Sequence, residues 1–390
     1  MSNTYTFTAK TLKGLEGVLA EELRALGAEK IREGRRVVHF AGSNALLYKC
    51  NLNLRTAISV LKPAFRFKFK NQDDFYKKLL DSKWDRFMNL EQSFAIRATV
   101  FSDHFSHTQF PALRMKDAIA DWFRANYHNR PSVNVQRPDI QFDLHVSQNM
   151  ATVSLDSSGD SLYKRGYRLD GWKAPLNEVL AAGMLKLAGW DGKSELHDPM
   201  CGSGTLAIEA AMMAANIPAN YRRAKFGFHN WKDYDDSLWK IVFDQSVNKI
   251  DTNAKVLIKA NDKIGTATGI CRKNATVAGV EHMINFSTGD FSKIVPKSEN
   301  GLLITNPPYG ERVKADDLNR LYESLGNHLK RNYMGWDAWV LSGNFDAMKN
   351  FGLRSSQKIT IFNGNIETRF VKFGLYQGSR KPKNKRFDKH

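Results

Sequence analysis

The fold is decided by the stretch Asp198-Pro199-Met200-Cys201-Gly202-Ser203-Gly204-Thr205, which connects a short strand pattern to a helix pattern through a glycine-rich turn. Glycine permits tight turns and close approach of the backbone to a ligand, and the free amide groups at the start of a helix favour an anionic group. With Ala207, the two glycines fit the GxGxxG/A pattern of dinucleotide-binding turns. Nicotinamide, flavin and S-adenosylmethionine sites all use such turns, and a strand–helix turn without a ligand looks the same.

Strand and helix patterns alternate around this turn and predict an α/β domain with a parallel, doubly wound sheet. The predicted strands lie at residues 195–197, 256–261, 284–288, 301–305 and 338–342. The predicted helices lie at residues 177–188, 204–214, 266–278 and 317–333. Residues 216–250, rich in Trp, Tyr and Arg, are predicted to be an insertion.

A second motif, Asn306-Pro307-Pro308-Tyr309, directly follows the apolar strand predicted at 301–305. In a doubly wound sheet, ligands bind at the carboxyl ends of the strands, which is where this motif lies. By itself, Asn-Pro-Pro is only a stiff turn. The glycine-rich turn and this motif, in this order and both at strand ends, together predict one ligand site.

The first 157 residues mix short strand and helix patterns without a nucleotide-binding loop, which predicts an α+β region. In the strand predicted at 59–69, aromatic and basic residues alternate, namely Phe65, Phe67 and Phe69 with Arg66, Lys68 and Lys70. Period-two alternation places the rings on one face and the cations on the other. We expect the rings in the core, and Arg66 and Lys68 either in contact with RNA or on a solvated face. The polar segment 157–173 is expected to join the two regions.

The chain of 390 residues carries 58 Lys and Arg against 40 Asp and Glu, a formal net charge of +18. Such an excess favours binding to a polyanion such as RNA through counterion release, although a basic surface can also be inert. The segment 378–390 holds six basic residues and one acidic residue and is expected to be a disordered tail.

The sequence also indicates a cellular setting. No apolar run reaches the roughly 18 residues of a membrane-spanning helix, and the N-terminus has no apolar signal core. Cys50, Cys201 and Cys271 form no CxxC pair, which argues against a zinc site or a disulfide framework and for a reducing compartment. We expect a cytoplasmic monomer without a bound metal or a membrane partner.

Several stretches resemble the THUMP-containing class I guanine-N2 methyltransferases of bacterial large-subunit (23S) ribosomal RNA. They are Lys13-Gly14-Leu15-Glu16, Asn53-Leu54-Arg55-Thr56-Ala57, Arg165-Gly166-Tyr167-Arg168, Ala174-Pro175-Leu176, DPMCGSGT at 198–205, Glu209-Ala210-Ala211 and NPPYGER at 306–312. The resemblance spans nearly the whole chain except the tail. It implies a ferredoxin-like domain at 1–60, a THUMP RNA-binding domain at 61–157, a class I methyltransferase domain at 158–377 and the basic tail at 378–390.

The resemblance also implies a reaction, namely methylation of guanine N2 in ribosomal RNA or a precursor large-subunit particle, with S-adenosyl-L-methionine as cofactor. It assigns catalysis to Asn306, Pro307, Pro308 and Tyr309. It assigns cofactor binding to Asp198, Pro199, Cys201, Gly202, Ser203, Gly204, Thr205, Asp262 and Asp290.

Some assignments have two interpretations. Asp262 is expected either to bind the ribose hydroxyls or to cap the following helix, and Ala260-Asn261 precedes it where a glycine-like pair is expected. Asp290 is expected either beside the adenine or in an Asx turn. Arg165, Arg168 and Arg312 are candidate contacts to RNA phosphates, or solvated charges.

The second motif suits methyl transfer to an exocyclic amine. The lone pair of such an amine is delocalised into the base, so the amine is a poor nucleophile. If the Asn306 side-chain oxygen and a backbone carbonyl near Pro307 accept its hydrogens, the nitrogen becomes more electron-rich, and proline holds that carbonyl in place. Tyr309 can stack on a base that has left its helix. Guanine N2, adenine N6 and cytosine N4 fit this chemistry equally.

Other classes of protein explain less of the sequence. A nicotinamide oxidoreductase leaves the Asn306 motif unexplained, and a pyrimidine C5-methyltransferase needs a cysteine nucleophile in the catalytic loop. A DNA adenine-N6 methyltransferase can use the same motif, but the N-terminal resemblance favours RNA. A non-catalytic RNA-binding protein would need a damaged cofactor loop, and neither loop looks damaged. Methylation of guanine N2 in tRNA, or of adenine N6 in nucleic acid, is the alternative function.

Overall fold

The computed structural model describes residues 4–169, 175–309 and 315–376, and the first of its two sheets has seven strands. These are β1 (Tyr5–Lys10), β2 (Glu29–Gly34), β3 (Val37–Gly42), β4 (Ser59–Lys68), β5 (Phe94–Phe101), β6 (Ile140–Ser147) and β7 (Met150–Asp156). Their order is β2-β3-β1-β4-β7-β6-β5. The accompanying helices are α1 (Glu16–Leu26), α2 (Asn44–Asn53), α3 (Gln72–Leu80) and α4 (Phe110–Tyr127). The segments predicted as separate ferredoxin-like and THUMP domains therefore share one continuous sheet, which β4 joins by pairing with β1 and β7.

The second sheet is the predicted doubly wound one. Its strands are β8 (Leu196–Asp198), β9 (Ile258–Asp262), β10 (Ile284–Thr288), β11 (Leu302–Thr305), β12 (Asp337–Ser342), β13 (Gln357–Asn363) and β14 (Ile366–Gly374), in the order β10-β9-β8-β11-β12-β14-β13. The helices of this part are α5 (Glu178–Leu187), α6 (Thr205–Ala214), α7 (Asp236–Val247), α8 (Gly265–Ala278) and α9 (Ala315–Asn332). The predicted fold class, an α/β domain preceded by an α+β region, is confirmed.

Three strands were not predicted from the sequence. Strand β2 lies at the edge of the first sheet and has no fully buried residue, so it lacks the alternating pattern of a half-buried strand. Strands β13 and β14 form an antiparallel hairpin at the edge of the second sheet, in which Asn363 pairs with Ile366. The sequence does contain a signal for this hairpin, namely the two-residue connection Gly364-Asn365 between strand-like segments, which is typical of tight hairpins.

The two sheets are joined by side chains that enter each other's cores. Leu15, which precedes α1, is buried among the apolar residues of the doubly wound domain. It lies so close to Gly183 of α5 that a β-carbon there would approach Leu15 Cδ1 to 2.6 Å. In the opposite direction, Phe226 and Phe228 of the predicted insertion pack in the core of the N-terminal region. The domain interface is therefore part of both hydrophobic cores.

Among the described helices, none is both long and apolar enough to span a bilayer.

Candidate active site

A cavity of about 960 Å³ opens at the carboxyl ends of the parallel strands, and both sequence motifs line it. A volume of this size is ordinary for a small-molecule or cofactor site. Its lining includes all the predicted catalytic residues and, of the predicted cofactor residues, all except Gly204. Asn363 and Ile366 of the β13–β14 hairpin, which the sequence analysis did not identify, also line it. The structure therefore brings the two loops together, as their strand-end positions predicted.

The glycine-rich turn requires glycine for two different reasons. Gly202 and Gly204 have φ angles of 53° and 86°, in the left-handed region that strains other residues. A β-carbon on Gly204 would also lie 2.2 Å from Cys271 Sγ, so α8 packs directly against the turn. Gly204 therefore serves helix packing, and Cys201 and Cys271 are buried neighbours of that contact.

Asp262 ends β9 and binds the glycine-rich turn directly. One carboxylate oxygen accepts the Gly202 N–H at 2.9 Å, and the other accepts the Ile264 N–H at 2.9 Å, just before α8 begins. The expected capping of α8 by Asp262 is wrong, because the N-cap of this helix is Ile264 and no side chain caps it. The side chain also lines the cavity, so binding to ribose hydroxyls stays a prediction.

Asn261 is a site residue that sequence reasoning missed. It is 2% exposed, and its side-chain amide donates to the carbonyls of Pro199 at 3.1 Å and Gly289 at 2.9 Å. The backbone carbonyl oxygen of Asn261 accepts the Cys201 N–H at 2.7 Å. The residue noted as a departure from the expected pair thus holds three loops of the site together. An Asn between an apolar strand and an Asp was the only signal in the sequence.

Two further carboxyl groups lie in the cavity. Asp290 accepts the Ser292 N–H at 2.9 Å, which is the predicted Asx turn, and its hydrogen bonds with Ser292 lower its pKa. Contact with an adenine stays a prediction. Asp198 is buried, and burial raises its pKa to about 8, although the Met200 N–H donates to it at 3.3 Å. Near pH 7 this carboxyl is mostly protonated, and a cationic ligand group beside it would favour its ionised form.

The catalytic loop is the least satisfied part of the cavity. Within the described residues, the buried Asn306 Oδ1 has no hydrogen-bond partner. The Pro308 carbonyl accepts the Tyr322 hydroxyl at 3.4 Å, and the Tyr309 hydroxyl oxygen accepts the Asn363 side-chain amide at 2.7 Å. Tyr322 and Asn363 thus hold the loop by hydrogen bonds. A buried acceptor such as the Asn306 oxygen favours a ligand that donates a hydrogen to it.

Three family models match the chain. A model described as the RMKL-like methyltransferase domain matches residues 165–372, a THUMP domain model matches 69–156, and an RlmL ferredoxin-like domain model matches 6–61. The chain belongs to the RMKL-like methyltransferase family. The resemblance stated from the sequence is confirmed at this level, since all three kinds of domain are present.

Full-length relatives agree with this assignment. A ribosomal RNA large subunit methyltransferase K/L from Syntrophotalea carbinolica is 38% identical over 380 residues, which is 95% of this chain and 53% of the relative. A putative RNA methyltransferase from Synechocystis is 35% identical and covers 96% of this chain and 98% of its own length. The chain spans about half the length of the curated K/L relatives that it matches.

Two solved structures share the whole architecture. A putative methyltransferase complexed with SAH superposes with a TM-score of 0.86 at 27% identity, covering 97% of this chain and all of that one. A possible methylase from Clostridium difficile superposes with a TM-score of 0.86 at 30% identity and the same coverage. The order of the three domains is therefore shared with independent crystal structures.

The structure corrects one RNA contact predicted for this RMKL-like methyltransferase. The Arg165 side chain is 1% exposed and forms a buried ion pair with Glu209 at 3.3 Å. Its other donors bind the carbonyls of Leu162 and Arg55. A guanidinium whose donors are used inside the protein cannot reach a phosphate, so the prediction for Arg165 is wrong. Its actual role is to join the N-terminal region to α6.

The prediction for Arg168 is corrected for a similar reason. Its guanidinium donates to Glu178 at 2.7 and 2.9 Å and to the hydroxyls of Ser203 at 3.1 Å and Thr205 at 3.0 Å. Arg168 therefore stabilises the glycine-rich turn through the hydroxyl groups of Ser203 and Thr205. Arg312, the third candidate of this group, lies outside the described residues.

Proposed function

We propose that this protein transfers a methyl group from S-adenosyl-L-methionine to N2 of a guanine in large-subunit ribosomal RNA or its precursor particle. The observation that carries the proposal is the buried Asn306 Oδ1, which has no hydrogen-bond partner among the described residues and belongs to a cavity that the glycine-rich turn also lines. Leaving such an oxygen unpaired costs free energy, so the site favours a ligand that donates a hydrogen there. An exocyclic NH₂ group of a base is such a donor.

The glycine-rich side of the cavity fits S-adenosylmethionine. Asp262 offers a carboxylate at the end of β9 for ribose hydroxyls, and Thr205 and Leu206 bring the start of α6 to the cavity wall. Asp198 offers a buried carboxyl whose ionised form a cationic group would stabilise. The structural relative complexed with SAH supports this choice of cofactor. When bound, S-adenosylmethionine supplies a methyl group already activated by its sulfonium charge.

The residues of the catalytic loop position and activate the amine. Asn306 Oδ1 accepts one of its hydrogens and a backbone carbonyl near Pro307 accepts the other, which increases the electron density on nitrogen. The nitrogen–carbon bond forms as the sulfur–carbon bond breaks, and the amine releases one proton to solvent. Tyr309 supports the base by stacking. Because the methyl group is already activated, orientation supplies most of the rate.

The choice of substrate has two separate supports. The curated relatives named ribosomal RNA large subunit methyltransferase K/L support large-subunit RNA. The resemblance of both motifs to guanine-N2 enzymes supports the target atom. Nucleoside mass spectrometry of separately purified large-subunit RNA and tRNA, with the gene deleted and then re-expressed, tests both at once. We expect N2-methylguanosine to disappear and return. A change confined to N2-methylguanosine of tRNA, or to N6-methyladenosine, would overturn this substrate and leave methyl transfer standing.

We further propose that RNA docks on the face of the first sheet that carries Arg66 and Lys68. Strand register places two rows of side chains across this face, Arg66-Thr152-His145-Thr99 and Lys68-Met150-Ser147-Phe101. We call these two rows the open face, because their side chains are exposed or half-buried. Neither Arg66 nor Lys68 pairs with an acidic residue among the described residues. The nearby carboxylates Asp143 and Asp156 are buried and paired.

The chemistry of the open face suits single-stranded or loop RNA. Phe101 is 63% exposed, and its ring centroid lies 6.2 Å from that of His145. Exposed rings stack on unpaired bases, while neighbouring cations bind the phosphates. The predicted RNA contacts Arg66 and Lys68 thus belong to a surface with both kinds of group.

Charge-matched variants test the open face. We expect Arg66→Ala with Lys68→Ala to reduce the slope of log affinity against log salt by about 1–2, because two phosphate contacts are lost. Phe101→Ala should weaken RNA binding and leave the slope unchanged. The control is Lys77→Ala with Lys83→Ala, which removes the same charge from exposed positions around α3. Equal slopes for the two double variants would remove the open face from RNA binding.

A further inference from the structure

We infer that Asn363, on the β13–β14 hairpin, is a positioning residue that holds Tyr309 in the orientation needed to support the target base. This inference rests on the proposed function, in which Tyr309 stacks on that base. Asn363 Nδ2 donates to the Tyr309 hydroxyl oxygen at 2.7 Å, and both residues line the cavity. They are 54 residues apart in sequence, so the sheet topology alone brings them together.

The ring of Tyr309 is confined by the same edge of the sheet. Gly343 follows β12, and a β-carbon there would lie 2.9 Å from Cδ2 of Tyr309 and 3.2 Å from Cγ2 of Ile366. The ring therefore packs over a position that only glycine leaves open. The hydrogen bond fixes the far end of the ring, and the glycine contact fixes its side. Together they restrict the rotation of an aromatic side chain that a substrate base would otherwise have to order on binding.

The hairpin is itself supported by the N-terminal domain. Lys13 Nζ lies 4.6 Å above the ring centroid of Phe362, the residue before Asn363. Gly14 has a φ angle of 92°, and a β-carbon on it would approach the Thr360 carbonyl oxygen to 2.8 Å. Glu16 stabilises this loop by accepting the N–H groups of Gly14 at 2.7 Å and Arg36 at 2.9 Å.

These contacts give a physical role to the stretch Lys13-Gly14-Leu15-Glu16. Leu15 anchors the loop in the core of the methyltransferase domain, while Lys13 and Gly14 contact β13 directly. The ferredoxin-like segment, whose strands share one sheet with the open face, is thus in contact with the strand that carries Asn363. The contacts lie at Phe362 and Thr360, one and three residues before Asn363.

A double-mutant cycle on single-turnover methylation tests the inference. We expect Asn363→Ala and Tyr309→Phe each to lower the rate about tenfold, and the double variant to be no slower than either, because both remove the same hydrogen bond. Asn363→Asp, which can accept from the Tyr309 hydroxyl, should recover part of the rate. Asn365→Ala, at an exposed position in the same turn, is the matched control and should be silent. S-adenosylmethionine affinity should be unchanged throughout.

Each other outcome counts against the inference. Additive losses in the double variant would mean that Asn363 acts on something other than Tyr309. A lowered melting temperature for Asn363→Ala, without a rate change beyond that of Asn365→Ala, would mean that it only closes the turn.

A readout without catalysis separates this inference from the proposed function. In the full chain labelled with 3-fluorotyrosine, the Tyr309 resonance is assigned as the one lost in Tyr309→Phe, and Asn363→Ala should shift it. An unshifted resonance would overturn the inference. Full methylation by Asn306→Ala would overturn the proposed mechanism without affecting this spectrum.

Discussion

On the cofactor side of the cavity, the loop at 198–205 is bonded from several directions: Gly202 to Asp262, the Ser203 hydroxyl to Arg168, and the Ser203 carbonyl to Asn274. On the catalytic side, Asn306 Oδ1 has no partner among the described residues, and Tyr309 is held by one side-chain hydrogen bond from Asn363. The cofactor side is thus bonded before any ligand arrives, whereas the catalytic side keeps an acceptor that has no donor in the part of the chain that the structure describes.

This difference separates the roles of the two sides. A loop whose geometry is already fixed binds a cofactor without paying much to order itself, so changes there should alter affinity. An acceptor that becomes satisfied only when the amine is in place acts on the reacting group, so changes there should alter the rate. The following variants test whether changes on the cofactor side alter affinity and changes on the catalytic side alter rate.

The largest effect is expected for Asn306→Ala. Removing a positioned acceptor from a desolvated site typically costs about 10²–10³ in rate, and among the described residues no hydrogen bond joins the Asn306 Oδ1 to the glycine-rich turn. Single-turnover kinetics should show this loss while calorimetry shows nearly unchanged S-adenosylmethionine affinity. Near-normal methylation by the variant would remove Asn306 from the mechanism and abolish the contrast between the two sides.

The reverse pattern is expected for Asp262. Asp262→Ala should weaken S-adenosylmethionine binding by roughly 1.5–3 kcal/mol, because hydrogen bonds to a charged group are lost, while the rate at saturating cofactor stays near normal. Asp262→Asn is the matched variant, since its amide oxygen can still accept the Gly202 N–H. If the Asn variant binds the cofactor normally and the Ala variant does not, Asp262 acts only by bracing the turn. Equal losses would support direct contact with the ribose.

The sequence was sufficient for the parts of the site that depend on local chemistry. The glycine-rich turn and Asn306–Tyr309 each follow an apolar strand, and parallel strands end at one edge of a sheet, so their meeting was predictable. Asp262 and Asp290 were found for the same reason, because each follows a strand.

The remaining site residues depend on contacts between distant segments. Arg168 reaches Ser203 and Thr205 across a gap of 35 and 37 residues, so its charge alone suggested RNA. Asn363 lies on a hairpin whose Gly-Asn turn was present in the sequence but was not used. No pattern in one sequence indicates that Leu15 and Phe228 pack in the core of the other domain.

On the cofactor side, Asp198 differs from the well-bonded loop because its carboxyl is buried and its pKa is raised. The pH dependence of stability that it causes is the smallest predicted effect. Burial raises the pKa of Asp198 to about 8 and that of Asp156 to about 7. The folded protein therefore holds these protons at pH values where the unfolded chain has lost them, so stability falls as pH rises. Burial also lowers the pKa of His197 to about 4. Below pH 6.5 this histidine therefore makes stability rise as pH rises, because the unfolded chain binds a proton that the folded protein does not. From pH 6.5 to 8 the two aspartic acids lower stability as pH rises. The histidines whose pKa burial lowers act in the opposite direction there, because the unfolded chain is still losing their protons; they are His39, His145, His197, His229 and His328.

In that interval we expect the two aspartic acids together to lower the free energy of unfolding of the ligand-free protein by about 2 kcal/mol, since one retained proton contributes about 1.4 kcal/mol per pH unit. Urea unfolding at fixed ionic strength measures it. Asp198→Asn should remove most of the dependence, and Asp156→Asn, the matched buried control, a smaller part. If ionised Asp198 pairs with a cationic group of S-adenosylmethionine, saturating cofactor should bind more tightly as pH rises and flatten the curve. If the Asp198→Asn variant shows the same change of stability from pH 6.5 to 8 as the parent protein, Asp198 is already ionised, and the cofactor side is then satisfied throughout.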